Sequence, residues 1–291
     1  MKKLIAIILA TIMMMSCVAC NSEEPQDDYE IPESKATETP IEEIVAMDYN
    51  DYSVKINSLG TDYSGDLTVG LLLENKSSEK TYIFCIEDAS INGIHCSTSL
   101  FTEVTPGKKA NDTIGFDDEL LRKYNVGDYT DIEITFSVQA SNEHGNPAQK
   151  TVHIYPQGQE KSVKYTREPK STDKVIFDNE NVTAIMIGYN NTESDNIAFA
   201  IEIDLFVINK TDKTVVFESK GESINGFMID ASFMDILSPD QCSFGTIYWT
   251  EEDLKENDIA TVEEIEFILS AYDSDSWGQT PFASETFKIN P

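Results

Sequence analysis

Two long blocks of this chain are alike, and this duplication constrains the fold more than any other feature of the sequence. Residues 90–137 align without a gap on residues 223–270, with Ser90-Ile91-Asn92-Gly93 over Ser223-Ile224-Asn225-Gly226. The offset of 133 residues between the blocks (223 minus 90) is too long for a solenoid repeat and suits a whole small domain. The sequence therefore predicts two tandem copies of one fold.

Each copy shows the alternation of apolar and polar residues that is typical of strands. The alternating apolar residues are Leu67, Val69, Leu71 and Leu73 in the first copy and Phe199, Ile201, Ile203, Leu205 and Val207 in the second. Asn92-Gly93 and Asn225-Gly226 suit the two positive φ values of a type I′ hairpin turn. About seven strands in each copy, with a short helix before the sixth, predict an all-β fold of two tandem immunoglobulin-like β-sandwich domains.

Short acidic segments mark the expected helices. Thr250 is a suitable N-cap before Glu251, and Asp117-Asp118-Glu119 places acids at the equivalent position of the first copy. Leu121 and Leu254 are expected to hold these helices against the core. Trp249 aligns with Phe116, so both are expected in the core.

Three strings of the first copy, together with its acidic helix, resemble a known group of domains. They are Ile91-Asn92-Gly93, Pro106-Gly107-Lys108-Lys109 and Asp131-Ile132-Glu133-Ile134. They look like the immunoglobulin-like domains of Gram-positive cell-surface lipoproteins that are known only as domains of unknown function. The resemblance covers both copies, from about Tyr52 to Pro291, and implies an extracytoplasmic sandwich without assigned catalysis. The second copy departs from it at the proline turn, which reads Pro239-Asp240-Gln241-Cys242.

The N-terminus has the pattern of a secretory leader. Basic Met1-Lys2-Lys3 precedes an apolar run at residues 4–15, which is too short to span a bilayer of about 30 Å. The following Ser16-Cys17-Val18-Ala19-Cys20-Asn21 resembles the bacterial lipoprotein signal box. We expect a signal peptide at residues 1–19 and lipidation of Cys20, with Cys17 as the alternative site. The protein would then be extracytoplasmic and attached to the cell membrane by its N-terminal lipid.

Residues 20–48 are strongly acidic, contain three prolines and have one lysine, so we expect a disordered tether. Behind it we expect copy 1 at residues 49–158, a linker at 159–173 and copy 2 at 174–291. The formal net charge of the chain is −31, which repels nucleic acid and anionic lipid head groups. Nucleic acid is therefore excluded as a partner.

Catalytic and metal-binding patterns are weak. Cys85, Cys96 and Cys242 lack the Cys-x-x-Cys spacing of a zinc site, and Cys85 is expected to point outward while Cys96 points inward. The histidines His95, His144 and His153 all lie in the first copy, and neither a nucleophile elbow nor a phosphate-binding glycine loop occurs. The sequence predicts no catalytic residue, no confident metal site and no cofactor, although carboxylate pairs of the glycosidase type keep a hydrolase as a remote alternative.

One loop of the second copy carries the candidate contact residues. Asp273 and Asp275 resemble half of a calcium loop and are a weak candidate calcium site, with a simple hairpin turn as the alternative. Trp277 and Tyr272 are candidates for contact with a partner. The sequence favours a membrane-anchored binding or scaffolding module for an extracellular protein or a cell-wall component. A glycan-binding module is the alternative, favoured if Trp277 and Tyr272 are exposed and coplanar.

Overall fold

Both copies form all-β units with the same order of strands. The computed structural model describes residues 36–143, 145–191, 200–276 and 278–291. The strands of copy 1 are β1 (Thr37–Asp48), β2 (Tyr52–Thr61), β3 (Leu67–Asn75), β4 (Tyr82–Ile91), β5 (Ile94–His95), β6 (Phe101–Val104), β7 (Lys109–Gly115), β8 (Ile132–Ala140) and β9 (Ala148–Ile154). The strands of copy 2 are β10 (Lys174–Asp178), β11 (Val182–Asn191), β12 (Ile201–Asn209), β13 (Val215–Ile224), β14 (Phe227–Met228), β15 (Met234–Leu237), β16 (Cys242–Trp249), β17 (Ile265–Asp273) and β18 (Ala283–Ile289). Helix α1 (Glu119–Lys123) lies between β7 and β8, and helix α2 (Glu251–Glu256) lies between β16 and β17.

Each copy is a sandwich of two antiparallel sheets. In copy 1 the first sheet has the order β1-β2-β3-β7. In the second sheet β4 pairs with β5, with β6 and with β8, and β8 also pairs with β9. Copy 2 repeats this plan with β10-β11-β12-β16 and with β13 paired to β14, β15 and β17, which pairs with β18. Among the described residues each copy has nine strands rather than the predicted seven, and its helix precedes the next-to-last strand, as the sequence predicts.

Buried residues alternate along the strands as the sequence predicts. In β8 the residues Ile132, Ile134 and Phe136 are fully buried, and in β17 the same holds for Ile265, Phe267 and Leu269. Phe116 and Trp249 are also buried, which confirms that the aligned pair belongs to the core. Each sandwich therefore closes over its own apolar interior.

The two Asn-Gly turns are confirmed by their backbone angles. Asn92 and Gly93 have φ values of 54° and 79°, and Asn225 and Gly226 have 51° and 80°. All four lie in the left-handed region that a type I′ turn requires. The α2 N-cap is confirmed as well, because the Thr250 side chain and Asp253 form a reciprocal capping box.

The α1 N-cap differs from that expectation. Asp118 occupies the position but makes no side-chain capping hydrogen bond. Its carboxylate instead accepts a hydrogen bond of 2.7 Å from the Tyr129 hydroxyl and pairs with Arg122. Leu121 of α1 is buried, whereas Leu254 of α2 is partly buried.

The expectation of a disordered tether as far as Asp48 is wrong for residues 37–48. This segment forms β1, which pairs antiparallel with β2. Its apolar residues Ala46 and Met47 are buried, while the acidic Glu43 points outward and binds Lys55 at 2.8 Å. The high charge of the segment hid a strand whose acids lie on its exposed side.

A continuous sheet joins the two copies. Cys242 of β16 pairs in parallel with Ile94 of β5, and this bridge makes one nine-stranded sheet from the second sheet of copy 1 and the first sheet of copy 2. Directly paired residues point to the same face of a sheet. At Ile94 one face of this sheet covers the core of copy 1. The same face continues onto β16, where it points away from the core of copy 2 and toward copy 1.

The segment expected as a linker at 159–173 packs against both copies. The Tyr165 amide donates to the Asn92 carbonyl at 2.8 Å, and the Tyr165 ring contacts Phe206 and Phe244. Arg167 binds Asp173 through two hydrogen bonds of 2.6 and 2.7 Å, with both side chains nearly buried. The segment is thus an ordered part of the junction, and the described residues from 36 to 291 belong to one compact unit.

Candidate binding cleft

A cleft with a volume of about 870 Å³ lies where the two copies meet. Copy 1 contributes residues of β4, β5 and α1, and copy 2 contributes residues of β12, β15 and β16. Because each wall comes from a different copy, the cleft exists only in the joined molecule.

The charged side chains that line the cleft are mainly acidic. Its carboxylates belong to Glu87, Asp88, Asp117, Glu119, Glu202 and Asp235. The lysine of the lining, Lys123, is bound to Asp204 at 2.8 Å and to Glu202 at 3.5 Å. Carboxylates that share a partly enclosed space add their fields, so the cleft attracts cations.

Apolar side chains form part of the same lining. Met234 and Ile236 of β15 and Tyr248 of β16 are 58%, 47% and 45% exposed. Phe233 and Phe244 are more deeply buried beside them. Large apolar groups next to charged ones are typical of surfaces that bind proteins or ligands.

His95 connects the two copies at one end of the cleft. Its Nδ1 lies 3.1 Å from Oδ1 of Asp88 in copy 1, and its Nε2 lies 3.3 Å from Oδ1 of Asp235 in copy 2. The other oxygen of Asp88 accepts a hydrogen bond of 2.9 Å from Nε2 of Gln241, also in copy 2. The imidazole is thus hydrogen-bonded to Asp88 and faces Asp235 as a charge pair, and Gln241 is hydrogen-bonded to Asp88 from copy 2.

Burial and pairing shift the titration of this group. Burial raises the pKa of Asp235, although the charge of His95 opposes this. Burial alone would lower the pKa of His95, but the hydrogen bond to Asp88 and the charges of Asp235 and Asp88 raise it. Burial would likewise raise the pKa of Asp88, but hydrogen bonds from His95, Ser238 and Gln241 lower it. The environment therefore favours a charged imidazole between the two carboxyl groups.

Aromatic side chains hold the copies together beside the cleft. The rings of Tyr124 and Phe244 stack in parallel, with centroids 5.0 Å apart and planes 2° apart. Phe206 packs on Phe244 at 4.9 Å, and Arg167 lies 5.8 Å above the Phe206 ring. This cluster covers the outward face of β12 and β16 and fixes one wall of the cleft against the other.

Gly188 lies against a side-chain contact between the copies. A Cβ atom at Gly188 would lie 2.7 Å from the Tyr124 hydroxyl and 2.8 Å from Oδ2 of Asp204. The hydroxyl of Tyr124 donates to this same carboxylate, and Thr246 donates to its other oxygen at 2.9 Å. A larger residue at Gly188 would therefore displace the Tyr124 hydroxyl or the Asp204 carboxylate and disturb their hydrogen bond across the junction.

The calcium and contact candidates lie elsewhere. Asp273 at the end of β17 binds Lys213, and its other oxygen accepts the Asp275 amide at 3.0 Å. Both interactions occupy the Asp273 carboxylate within a hairpin turn. Tyr272 is half-buried on β17. Trp277, His144, Cys17 and Cys20 fall outside the described residues.

The cysteines lie as the sequence predicts in the part of the chain that is described. Cys85 is half-buried and Cys96 is buried, and both are free, as is Cys242. Burial raises the pKa of the Cys242 thiol to about 12 and raises that of Cys96 as well, so both are neutral. Within the described ranges, no cluster of three or more histidine, cysteine or acidic side chains is arranged to hold a metal ion. No helix in those ranges is both long and apolar enough to cross a membrane.

Sequence reasoning missed Asp88, Asp235 and Gln241. The residues of copy 2 that align with Asp88 and His95 are Gly221 and Met228, so the duplication gave no hint of this group. A pattern for the docking face did exist in β12, where the run Ile201–Asn209 includes Phe206 and Ile208 at outward positions. Apolar residues on both faces of a strand indicate burial on both faces.

Comparisons with known proteins give no family. No protein-family model and no curated protein matches this sequence. Among solved structures, the chain is similar to a transglutaminase of red sea bream, with a TM-score of 0.23 and 8% identity. That match covers 77% of this chain and 29% of the transglutaminase, so the chain spans less than a third of that protein. A similarity of this size carries no argument about activity.

Proposed function

We propose that this protein is an extracytoplasmic binding module and that the cleft between its copies receives a partner protein through a basic segment. The observation that carries the proposal is the joint construction of the cleft by two sandwiches. The module would be attached to the membrane by a lipid on Cys20.

The chemistry of the cleft supports a cationic partner. The carboxylates of Glu87, Asp117 and Glu119 line it on the copy 1 side, and all three are exposed. Lysine or arginine side chains of a partner would neutralise them, and the exposed Met234 and Ile236 would contact the apolar parts of the same segment. Attraction between opposite charges speeds association and weakens as salt is added.

The experiment is a capture of partners from the outer surface of the native cell with three forms of the protein. One form carries Glu87→Gln, Asp117→Asn and Glu119→Gln. A matched control carries Glu160→Gln, Glu263→Gln and Glu285→Gln, which removes the same charge from exposed positions outside the lining of the cleft.

We expect the wild type and the control to recover the same protein and the cleft variant to recover at least about tenfold less, equivalent to about 1.4 kcal/mol. If both variants recover less partner to the same extent, the interaction depends on the net charge of the chain and not on the cleft. Equal recovery by all three forms would place the partner on another surface.

The anchor is tested separately from the cleft. We expect Cys20→Ser to leave the protein uncleaved or shed, and Cys17→Ser to leave it lipidated. Mass spectrometry of the mature N-terminus distinguishes the two sites. A lipid found on Cys17 would move the anchor but would leave the cleft proposal intact.

A further inference from the structure

Both ring nitrogens of His95 face carboxylate oxygens, and the two carboxylates belong to different copies. A neutral imidazole carries one N–H and can donate to one partner only, whereas an imidazolium carries two. The arrangement with both carboxylates ionised is therefore satisfied only when the ring is doubly protonated.

We propose that His95 is a protonation-dependent latch between the two copies. The imidazolium ties Asp88 of β4 to Asp235 of β15, and loss of one ring proton loosens the contact between copy 1 and copy 2. This inference does not depend on the identity or existence of a ligand in the cleft.

Because the three side chains are mostly buried, loss of the ring proton destabilises the contact between the copies. The side chains of His95, Asp88 and Asp235 are 21%, 16% and 13% exposed. When the ring is neutral, one carboxylate faces a nitrogen lone pair and stays charged with little access to water. A buried charge that has lost its partner is strongly destabilising.

Other groups around the ring do not replace its charge. Gln241 and Ser238 hydrogen-bond to Asp88, and Ser243 hydrogen-bonds to Asp235, but all three are neutral. The charged groups of the surrounding elements are acidic, except for two lysines: Glu87, Asp117, Glu119, Glu133 and Glu202, with Lys123 and Lys164. Lys123 is bound to Asp204 and Glu202, and Lys164 acts on Glu133, so neither lysine neutralises Asp88 or Asp235. Cys96 and Cys242 are neutral thiols.

The direction of the pH effect follows from the pKa shifts. His95 has a raised pKa, so its contribution to the junction is complete below its ordinary value of 6.5 and is lost as the pH rises through the raised pKa. Asp235 also has a raised pKa, so its ionisation with rising pH acts in the same direction. Asp88 has a lowered pKa, so its contribution is present above 3.8 and is lost only in stronger acid. The latch is therefore closed at mildly acidic pH and opens toward alkaline pH.

Amide hydrogen exchange of the full chain tests the latch. The amide of Cys242 donates to the carbonyl of Gly93 at 3.2 Å and so reports the junction itself. The amide of Leu269 in β17 reports the core of copy 2. Exchange is measured at pH 6 and pH 8.5 and corrected for the intrinsic effect of pH on exchange.

In the wild type we expect the protection of Cys242 to fall between these pH values by up to about tenfold for each unit by which pairing raises the pKa of His95. Protection of Leu269 should stay unchanged. His153→Gln is the matched control, because His153 also lies between two carboxylates, Asp131 and Glu133, but entirely within copy 1. This variant should behave as the wild type does.

Asp235→Asn is the decisive variant, because it preserves shape and removes one carboxylate. The amide of asparagine can donate to the unprotonated nitrogen of a neutral ring, so Cys242 should stay protected at both pH values. A wild-type pH difference in Asp235→Asn would overturn the latch. The same difference in His95→Gln would also overturn it, since that variant has no titrating ring.

Discussion

Phe244 illustrates how a single residue decides whether a strand face is covered. Its counterpart in copy 1 is Asn111, which is exposed on β7, whereas Phe244 is 7% exposed against Tyr124 and Phe206. The two residues hold the same position in the same fold. Copy 1 packs against the sheet face of copy 2 that carries Phe244, whereas the equivalent face of copy 1, which carries Asn111, is exposed at this position.

We expect Phe244→Ala to lower the free energy of unfolding by about 3 kcal/mol, the lower end of the range for emptying a buried aromatic site. The ring lies between copies, where the cavity can partly close. Asn111→Ala is the control and should change stability by less than about 0.5 kcal/mol. Urea denaturation of the full chain measures both. Equal effects of the two substitutions would mean that the aromatic cluster does not stabilise the junction.

At the scale of elements, the hairpin of β4 and β5 depends on more than its turn type. The Oδ1 atom of Asn92 accepts hydrogen bonds from the Thr130 amide at 2.9 Å, the Thr130 hydroxyl at 2.9 Å and the Asp131 amide at 3.1 Å. The side chain therefore attaches the turn to the start of β8. Because β5 carries His95, the same bonds position the ring at the junction.

Asn92→Ala should destabilise the protein by about 2–4 kcal/mol, because it removes these bonds at about 1 kcal/mol each and leaves alanine at a positive φ. Asn125→Ala is the control, since Asn125 has a φ of 53° and its side chain makes no hydrogen bond to the described residues. It should show only the cost of the strained backbone, about 1 kcal/mol. Thermal unfolding of the two variants separates the turn geometry from the side-chain bonds, and equal losses would contradict the anchoring role.

The sequence predicts those elements whose cause is local. The alternation in β8 and β17, the Asn-Gly turns and the Thr250 cap each depend on residues that are close in the chain. β1 was missed because its acids suggested a tether and because its apolar residues do not alternate, since two irregularities in register interrupt its pairing with β2. The His95 group could not be predicted, because its members come together only after both copies have folded and docked.

At the scale of the whole molecule, the two copies differ in the outward face of their first sheet. In copy 2 this face carries Ile185, Phe206 and Phe244, and it joins the apolar cluster of copy 1. The equivalent positions in copy 1 are Lys55, Leu72 and Asn111. Tandem duplication predicts two sandwiches from sequence alone, but their docking follows from these later differences.

We expect the fragment Lys174–Pro291 to fold cooperatively on its own core and to self-associate through its uncovered face. The double substitution Ile185→Lys and Phe244→Asn places copy 1 residues on that face and should keep the fragment monomeric. Analytical ultracentrifugation measures the state of both forms. If the unsubstituted fragment is monomeric, this face does not drive self-association. If the fragment is unfolded, copy 2 needs copy 1 in order to fold.

The covered face of β12 and β16 also has a consequence for the history of the chain. While two duplicated domains lie against each other, a mutation from a polar to an apolar residue at the contact meets no penalty from water, so it is neutral when it arises. Once several such residues have accumulated, separation would expose them at about 25 cal/mol for each Å². Loss, reordering or separation of either half would then be selected against, so the duplicated domains stay together as one unit.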